Sequence, residues 1–336
     1  MDILFIFLVG AFICSLFFMS IYLNAAKKLG IIAKVNFRTL HSQETPKGGG
    51  IVLSVVYILT LTLLAFMGYL NDSNLLFLLL GAGFASLFGF IDDIFNIRAM
   101  VKLFAQIFLA SWIIFLLVDF PTQNSLIIVS VLLHFLAILF LVWLINVFNF
   151  MDGIDGLAAS GTFFITSITG SIILYISSIH SDAFLLLLLS VMCLSFLCFN
   201  LTRTKVFMGD SGSIFLGYMV GVLFFRTIYE TDINYWTWLI VLGYFLTDAT
   251  ATTLYRIVYI KKWYGAHRSH AYQNLARIWD NHRKVSAYIS LFHLLWLLPL
   301  AWLSFIMPEL GFYCYLVAII PVIAINFIYG PRFSSD

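Results

Sequence analysis

Acidic and amide side chains gather in this chain where long apolar runs end. Asn146, Asn149, Asp152 and Asp155 lie three residues apart in the segment NVFNFMDGID, directly after an uncharged run. On a helix, residues three apart are neighbours on one side. Carboxylates and amides bind metal ions and accept hydrogen bonds from N–H groups of a ligand. The pattern predicts that these four groups converge on a small polar site; the alternative is a structural cap on a helix end.

Two further acidic positions lie together in GFIDDIFN. Asp92 and Asp93 are adjacent carboxylates at the end of an apolar run. Like charges this close raise each other's proton affinity unless a cation relieves them. Magnesium prefers such oxygen ligands. The alternative is a solvated helix end, although a carboxylate pair there would oppose the helix macrodipole.

A third acidic segment, VFMGDSGS, opens a later apolar run. Asp210 follows a glycine, and residues 211–213 are Ser, Gly and Ser. Their backbone N–H groups at a helix start predict a phosphate cradle beside an acid that could hold a metal. Arg203 and Lys205 add positive charge nearby. The alternative is that Asp210 caps the helix.

Basic residues form two segments of interest. Lys47 lies in HSQETPKGGG, where Pro46 and the glycines break helix and allow close backbone approach to a ligand. His267, Arg268 and His270 lie in the segment AHRSHAYQN, which has no cysteine or acid close by. This pattern favours an anion site over a transition-metal site. A cytoplasmic loop rich in positive charge would explain the nearby lysines but not HRSH.

Asp248 lies inside an apolar run, about two turns from Arg256. An acid within a membrane span is a functional candidate by default. A structural pairing with Arg256 or another nearby donor is the alternative.

The composition sets the environment in which these groups must work. The chain has 336 residues, of which 62% are hydrophobic and 10% charged, and its mean hydropathy is +1.02. This excludes an ordinary soluble domain and predicts a polytopic protein of the lipid bilayer. The net charge of +2 does not favour a nucleic-acid partner. The four cysteines lie in apolar runs without metal-ligand spacing.

The apolar runs predict an all-α bundle of about eleven transmembrane helices within a single domain, residues 1–336. The spans are expected near 3–23, 51–70, 75–91, 101–118, 125–147, 157–177, 183–200, 212–229, 235–255, 285–305 and 311–329.

The charges between these spans are strongly asymmetric. One set of junctions is acidic, and Arg226 is its only basic residue among the 18 Lys and Arg of the chain. The positive-inside rule makes the other side cytoplasmic, with the N-terminus outside and the C-terminus inside. All five polar segments then lie on the cytoplasmic face, where we expect the active site.

Three classes of protein remain in competition at this point. An ion-coupled carrier would also have many spans and intramembrane acids, but carriers place their site near the bilayer midplane between repeats. Here the groups crowd one face, and no two-fold repeat of hydropathy is visible. A non-catalytic scaffold would need none of Asp92, Asn149 or Asp210. Phosphoryl transfer between a soluble nucleotide compound and a membrane lipid explains the segments most simply.

The segments GFIDD, NVFNFMDGIDGLA and KVFMGDSGS occur in this order between residues 89 and 213, among apolar runs that extend over nearly the whole chain. The chain resembles the polyprenyl-phosphate N-acetylhexosamine-1-phosphate transferases, glycosyltransferase family 4. The resemblance implies a bundle of ten or eleven transmembrane helices in the bacterial inner membrane. It also implies Mg²⁺ (with Mn²⁺ as an alternative), a UDP-N-acetylhexosamine donor and polyprenyl (undecaprenyl) phosphate as acceptor. The oligomeric state stays open, with a homodimer as one candidate.

The resemblance also implies roles for particular residues. Asp210 matches the principal magnesium ligand and Asn149 a second ligand. Asp92 matches the carboxylate that acts on the lipid phosphate, with Asp93 beside it. Asp92, Asp93 and Asp210 form the expected catalytic group. The expected substrate-binding group is Lys47, Asn146, Asp152, Asp155, Asn200, His267, Arg268 and His270.

Two departures from the family pattern bear on the substrate. Arg203-Thr204-Lys205 stands where the family usually has Pro-Ala-Lys. The basic loop reads HRSHAYQ, whereas the pentapeptide translocase has three histidines in a row. The loop is more similar to the branch that initiates O-antigen-type glycans of lipopolysaccharide, some of whose donors are 6-deoxy N-acetyl sugars.

Overall fold

A computed structural model describes residues 2–33, 45–70, 74–117, 127–176, 181–201, 206–261, 265 and 267–333. The first ten helices are α1 Asp2–Leu29, α2 Gly50–Phe66, α3 Leu75–Phe95, α4 Ala99–Leu117, α5 Ile127–Phe150, α6 Leu157–Ile176, α7 Ser181–Asn200, α8 Asp210–Glu230, α9 Tyr235–Val241 and α10 Gly243–Tyr259. The remaining helices are α11 Ala271–Trp279, α12 His282–Phe292, a π-helix His293–Leu297, α13 Leu298–Ile306, a 3-10 turn Pro308–Leu310 and α14 Gly311–Tyr329.

The predicted all-α polytopic membrane architecture is confirmed. Nine helical segments in the described part of the chain are long and apolar enough to cross a bilayer. The predicted second span is the shorter helix α2, with 17 residues. The predicted ninth span is interrupted at Leu242, between α9 and α10. The strands found in the described ranges are the two-residue β1, Ile32–Ala33, and β2, Thr45–Pro46, which pair antiparallel.

Helix α8 forms the centre of the bundle. Within its apolar window 94% of the residues are buried, compared with 17% in α1, so α1 lies at the periphery. Helix α8 packs against α3 and α5. At Gly89 of α3, an added Cβ would lie 2.2 Å from the carbonyl oxygen of Asp210. Only glycine permits this approach, which joins the end of α3 to the start of α8.

A buried ion pair joins the first turn of α7 to the C-terminal part of α8, which is the end of α8 opposite Asp210. Arg226 donates from Nε to Oδ1 of Asp182, and the two side chains are 8% and 0% exposed. Arg226 was the basic exception in the charge pattern. Its pairing with Asp182 explains how a positive charge is accommodated there.

Candidate active site

The loop before α8 is built around the carboxylate of Asp93. Its two oxygens accept from the backbone N–H groups of Asp210 and Ser211, each at 3.1 Å. Gly209 has φ +73°, and a Cβ there would lie 2.4 Å from Oδ2 of Asp93. The next two N–H groups, of residues 212 and 213, both donate to the Gly209 carbonyl. The prediction of an open phosphate cradle is therefore wrong, because the protein's own carboxylate occupies the helix N-terminus.

Asp92, adjacent in sequence, faces a different partner. Lys102, in the first turn of α4, forms ion pairs with Oδ2 of Asp92 and with Oδ2 of Asp210, the latter at 2.9 Å. Asp92 also accepts from the backbone N–H of Ile97 at 2.6 Å. Two carboxylates thus share one ammonium, and the trio carries a net negative charge. Such an imbalance attracts a further cation.

The amides of α5 divide between two roles. Asn149 donates from Nδ2 to Oδ1 of Asp210 and to Oγ of Ser213, each at 3.0 Å. Asn146 instead donates to Oε1 of Gln106 at 2.7 Å. The two amides of α5, which ends at Phe150, therefore have different partners, while Asp152 and Asp155 lie in the turns that follow.

Asp152 and Asp155 lie in the turns that follow α5. Enclosure by protein, and then the negative charges of Asp210 and Asp93, raise the pKa of Asp152 well above its ordinary value. Asp155 is 5% exposed, and its backbone carbonyl accepts from the hydroxyl of Ser286 on α12 at 2.6 Å. The Nδ1 atom of His282 lies 3.8 Å from Oδ2 of Asp155.

A cavity of about 250 Å³ lies beside these turns. Its lining includes five of the eight predicted substrate-binding residues, namely Lys47, Asp152, Asp155, Asn200 and Arg268. His282 and the backbone of Gly153 and Gly209 also line it. Asn200 donates from Nδ2 to the Val206 carbonyl at 2.7 Å, while its buried Oδ1 has no hydrogen-bond partner in the part of the chain that the structure describes. The cavity therefore combines two cations with three groups that accept hydrogen bonds.

Lys47 reaches the cavity from a segment held against the stretch before α8. The backbone N–H groups of Gly49 and Gly50 donate to the carbonyls of Phe207 and Met208, each at 3.0 Å. The N–H of Phe207 in turn donates to the Pro46 carbonyl at 2.8 Å. The glycines therefore let this segment approach another backbone, rather than a ligand as predicted.

The HRSH loop separates its histidines from its arginine. Arg268 lines the cavity, whereas His270 is 2% exposed and lies against Asp248 of α10. The ring of His267 stacks on that of His270 with centroids 5.1 Å apart. Burial, and then the charges of His270 and Arg256, lower the pKa of His267 to about 3. His267 is therefore neutral at physiological pH, and the loop's cation in the cavity is Arg268.

Three of these residues were not found from the sequence. Lys102 carried a usable signal, since it is a charged residue inside a predicted span. Gln106, one turn further along α4, and His282, within a long polar loop, carried none. Arg203 and Lys205, singled out above, lie outside the described residues.

The donor groups around Asp210 are consistent with magnesium, although they do not form a complete protein cage. Across the described ranges, no three His, Cys, Asp or Glu side chains are arranged to hold a metal ion. Mg²⁺ usually keeps several waters and binds through one or two carboxylates plus substrate phosphates. The Asp210 carboxylate and the oxygen of Asn149 suit that mode. The donor set therefore fits a magnesium ion that is shared with a substrate.

The fold is that of a membrane-embedded protein, and comparison with known proteins places the chain in a class of membrane transferases. A family model described as Glycosyl transferase family 4 matches residues 75–228, which include the ends of α3 and α5 and the start of α8. This chain belongs to that family, the polyprenyl-phosphate hexosamine-1-phosphate transferases.

Individual relatives extend over more of the chain. A probable undecaprenyl-phosphate N-acetylglucosaminyl 1-phosphate transferase of Bacillus subtilis is 27% identical over 82% of this chain and 79% of its own length. A phospho-N-acetylmuramoyl-pentapeptide-transferase of Fervidobacterium nodosum is 32% identical over 62% of this chain and 69% of its own. For a decaprenyl-phosphate N-acetylglucosaminephosphotransferase of Mycolicibacterium smegmatis the identity is 29%, over 58% of this chain and only 53% of that protein.

Proposed function

We propose that this protein transfers a sugar-1-phosphate from a UDP-N-acetylhexosamine to polyprenyl phosphate, releasing UMP and forming a polyprenyl-diphosphate-sugar. The observation that supports this proposal most directly is the cavity lined by Asp152 and Gly209. It places Lys47 and Arg268 near two carboxylates and the free oxygen of Asn200. Family membership and the names of the relatives support the same reaction class.

In this proposal the donor occupies the cavity. Lys47 and Arg268 bind the diphosphate, since charge-assisted bonds to phosphate oxygens are the strong ones. Asp152, Asp155 and Asn200 accept from N–H and O–H groups of the nucleoside or sugar. Because the pKa of Asp152 is raised, its protonated form is more populated than that of an ordinary aspartate. A protonated carboxyl group can also donate to a ligand oxygen.

Lys102 and its two carboxylates then mark the position of the reacting phosphates. Asp210 and Asn149 would hold Mg²⁺ (or Mn²⁺), which when bound supplies charge neutralisation to the diphosphate. Lys102 adds a fixed positive charge at the same place. Asp93 supports this arrangement by holding the start of α8, so we assign it a positioning role.

The chemistry is a direct in-line displacement. An oxygen of the lipid phosphate forms a bond to the sugar-linked phosphorus, and the bond from that phosphorus to the bridging oxygen breaks, with UMP leaving as the anion. The second pKa of a phosphate monoester is about 6, so the nucleophile is already largely ionised near neutrality. Asp92 is therefore not required as a base, and its ion pair with Lys102 suits it to orient that lysine. A covalent phosphoryl-aspartate route is the alternative.

Location and pathway form the remainder of the proposal. The charge asymmetry supports a cytoplasmic active site in the bacterial inner membrane, with the N-terminus outside. Reporter tags at residues 1 and 336 should then lie on opposite sides. The HRSHAYQ loop supports a role in initiating a surface glycan such as O-antigen.

The deciding experiment measures UMP release by purified protein in liposomes that contain undecaprenyl phosphate. UDP-GlcNAc, UDP-GalNAc and UDP-linked 6-deoxy N-acetyl sugars are compared, with and without Mg²⁺. Liposomes with phosphatidic acid in place of undecaprenyl phosphate are the control for the acceptor. UMP release that depends on both undecaprenyl phosphate and one of these donors supports the proposal. The absence of release with every donor contradicts it.

A further inference from the structure

Asp248 is a buried carboxylate that the proposed reaction does not use. It lies within α10 and its residue is 0% exposed. Oδ1 faces the hydroxyl of Thr252 at 3.3 Å, Nδ1 of His270 at 3.3 Å and the backbone N–H of Ala271 at 3.4 Å. Within the described residues, Oδ2 has no hydrogen-bond partner. A buried acid with a half-satisfied carboxylate is costly, so its retention needs an explanation.

Two of these three contacts reach beyond α10. Thr252 lies one turn along the same helix, whereas His270 and Ala271 belong to the end of the HRSH loop and the first turn of α11. Each contact is long for a hydrogen bond. The two contacts beyond α10 place the negative charge of Asp248 against the His270 imidazole and against the positive end of helix α11. Asp248 thus holds the junction between the HRSH loop and α11 by electrostatic attraction.

His270 connects Asp248 to the rest of the HRSH loop through contacts between aromatic rings. Its ring lies between those of His267 and Tyr272, at centroid distances of 5.1 and 5.6 Å, and 5.7 Å from Phe150. The hydroxyl of Tyr272 donates to the Phe150 carbonyl. The loop is therefore docked on the end of α5, directly before the turn that carries Asp152.

Arg268 is two residues before His270 and is the loop's cation in the cavity. Its backbone carbonyl accepts from Nη2 of Arg277 on α11 at 2.7 Å, so its backbone is tied to the same helix. We propose that Asp248 is a positioning residue for donor binding, which holds His270 and the start of α11 so that Arg268 enters the cavity. This inference rests on the proposed function in one respect, the binding of the donor diphosphate by Arg268.

Asp248→Asn removes the charge with little change of size, and Asp248→Leu removes the acceptors as well. We expect both folded variants to raise the KM for the UDP-sugar about tenfold or more, the scale of a small misplacement of a binding group. The KM for polyprenyl phosphate should change less than about twofold, because that substrate is not held by the loop. Asp248→Glu should recover part of the loss.

Thr252→Val is the matched control. It removes the contact of Asp248 within α10 and leaves the loop contacts in place, so its donor KM should equal that of the unmodified protein. A double variant tests the route of action. If Asp248 acts through Arg268, Asp248→Asn and Arg268→Lys together should cost less than the product of their separate effects. Donor KM values within twofold of normal in both Asp248→Asn and Asp248→Leu would overturn the inference, as would fully multiplicative effects.

A readout without turnover separates this inference from the proposed function. Limited trypsin digestion of the detergent-solubilised protein reports the exposure of the bond after Arg268. Cleavage there should be at least about fivefold faster in Asp248→Asn than in Thr252→Val, since the loop opens locally. Equal rates would overturn the positioning role even if UMP release is normal. If the unmodified protein releases no UMP, the proposed function fails while the cleavage rates still decide the role of Asp248.

Discussion

Two charge clusters lie at opposite ends of α8 and differ in charge balance and in exposure. At one end Arg226 forms an ion pair with Asp182, and the two side chains are 8% and 0% exposed. At the other, Lys102 faces both Asp92 and Asp210, and the exposures of Lys102 and Asp210 are 30% and 25%. The Arg226–Asp182 pair, the closed pair, is neutral and buried, while the group of Lys102, Asp92 and Asp210, the open cluster, carries a net negative charge and is partly exposed. A closed pair serves packing, whereas an unbalanced and accessible cluster can bind and act on a charged substrate.

The largest effect is expected from Asp210→Asn at the open cluster. The change keeps size but removes the charge proposed to hold magnesium, so turnover should fall by about a thousandfold or more. UMP release measures the loss, and size-exclusion chromatography checks that the protein remains folded. Near-normal turnover in a well-folded variant would remove Asp210 from the mechanism.

Asp182→Asn tests the closed pair and should affect stability instead. The variant leaves Arg226 buried without its charged partner, which should cost about 3 to 5 kcal/mol. A lower unfolding temperature in detergent is the measurement, with turnover per folded molecule unchanged. The double variant Asp182→Asn/Arg226→Gln should regain part of the lost stability. A selective loss of turnover would show that this end also takes part in function.

Lys102→Met sharpens the assignment of charge at the open cluster. Asp92 and Asp210 lose their shared cation, so turnover should fall by about a hundredfold, the scale of removing one charge-stabilising group. Lys102→Arg should retain more activity because it keeps the charge. Equal losses in both variants would mean that the geometry of the ammonium matters more than its charge.

Arg268→Lys addresses the donor cavity beside that cluster. Lysine cannot reproduce the forked donors of arginine. The variant should lose roughly 5- to 150-fold in kcat/KM for the donor, or about 1 to 3 kcal/mol. The affinity for polyprenyl phosphate should be nearly unchanged. A change in lipid affinity alone would assign the loop to the other substrate.

The smallest effect concerns His267. Its pKa is lowered to about 3, so the free protein holds it neutral throughout pH 5.5–8. The pH profile of kcat/KM reports groups of the free enzyme, and its shape over that range should be the same in His267→Gln. If kcat/KM of the unmodified protein changes near pH 6.5 and this change is absent from His267→Gln, then His267 titrates during function.

The sequence allowed a close prediction of the spans and of the segments that carry polar groups. Apolar length and charge asymmetry depend on the bilayer, which acts on every helix in the same way. The pairing of side chains was less accessible. Asn146 and Asn149 are both asparagines on α5, yet Asn146 forms a hydrogen bond with Gln106 and Asn149 with Asp210. Which partner each meets depends on how α4 and α8 pack against α5, and no local pattern records that.

Asp93 has a consequence for inhibitor design. Helix N-termini attract phosphate and its mimics, so the start of α8 would be an obvious target for an anionic group of an inhibitor. Here the N–H groups of Asp210 and Ser211 already donate to Asp93. An anionic compound would have to displace an internal carboxylate, so we expect no gain in affinity from a group aimed at that helix end. Selectivity over other phosphate-binding proteins should instead come from groups that contact Arg268, Lys47 and the free oxygen of Asn200.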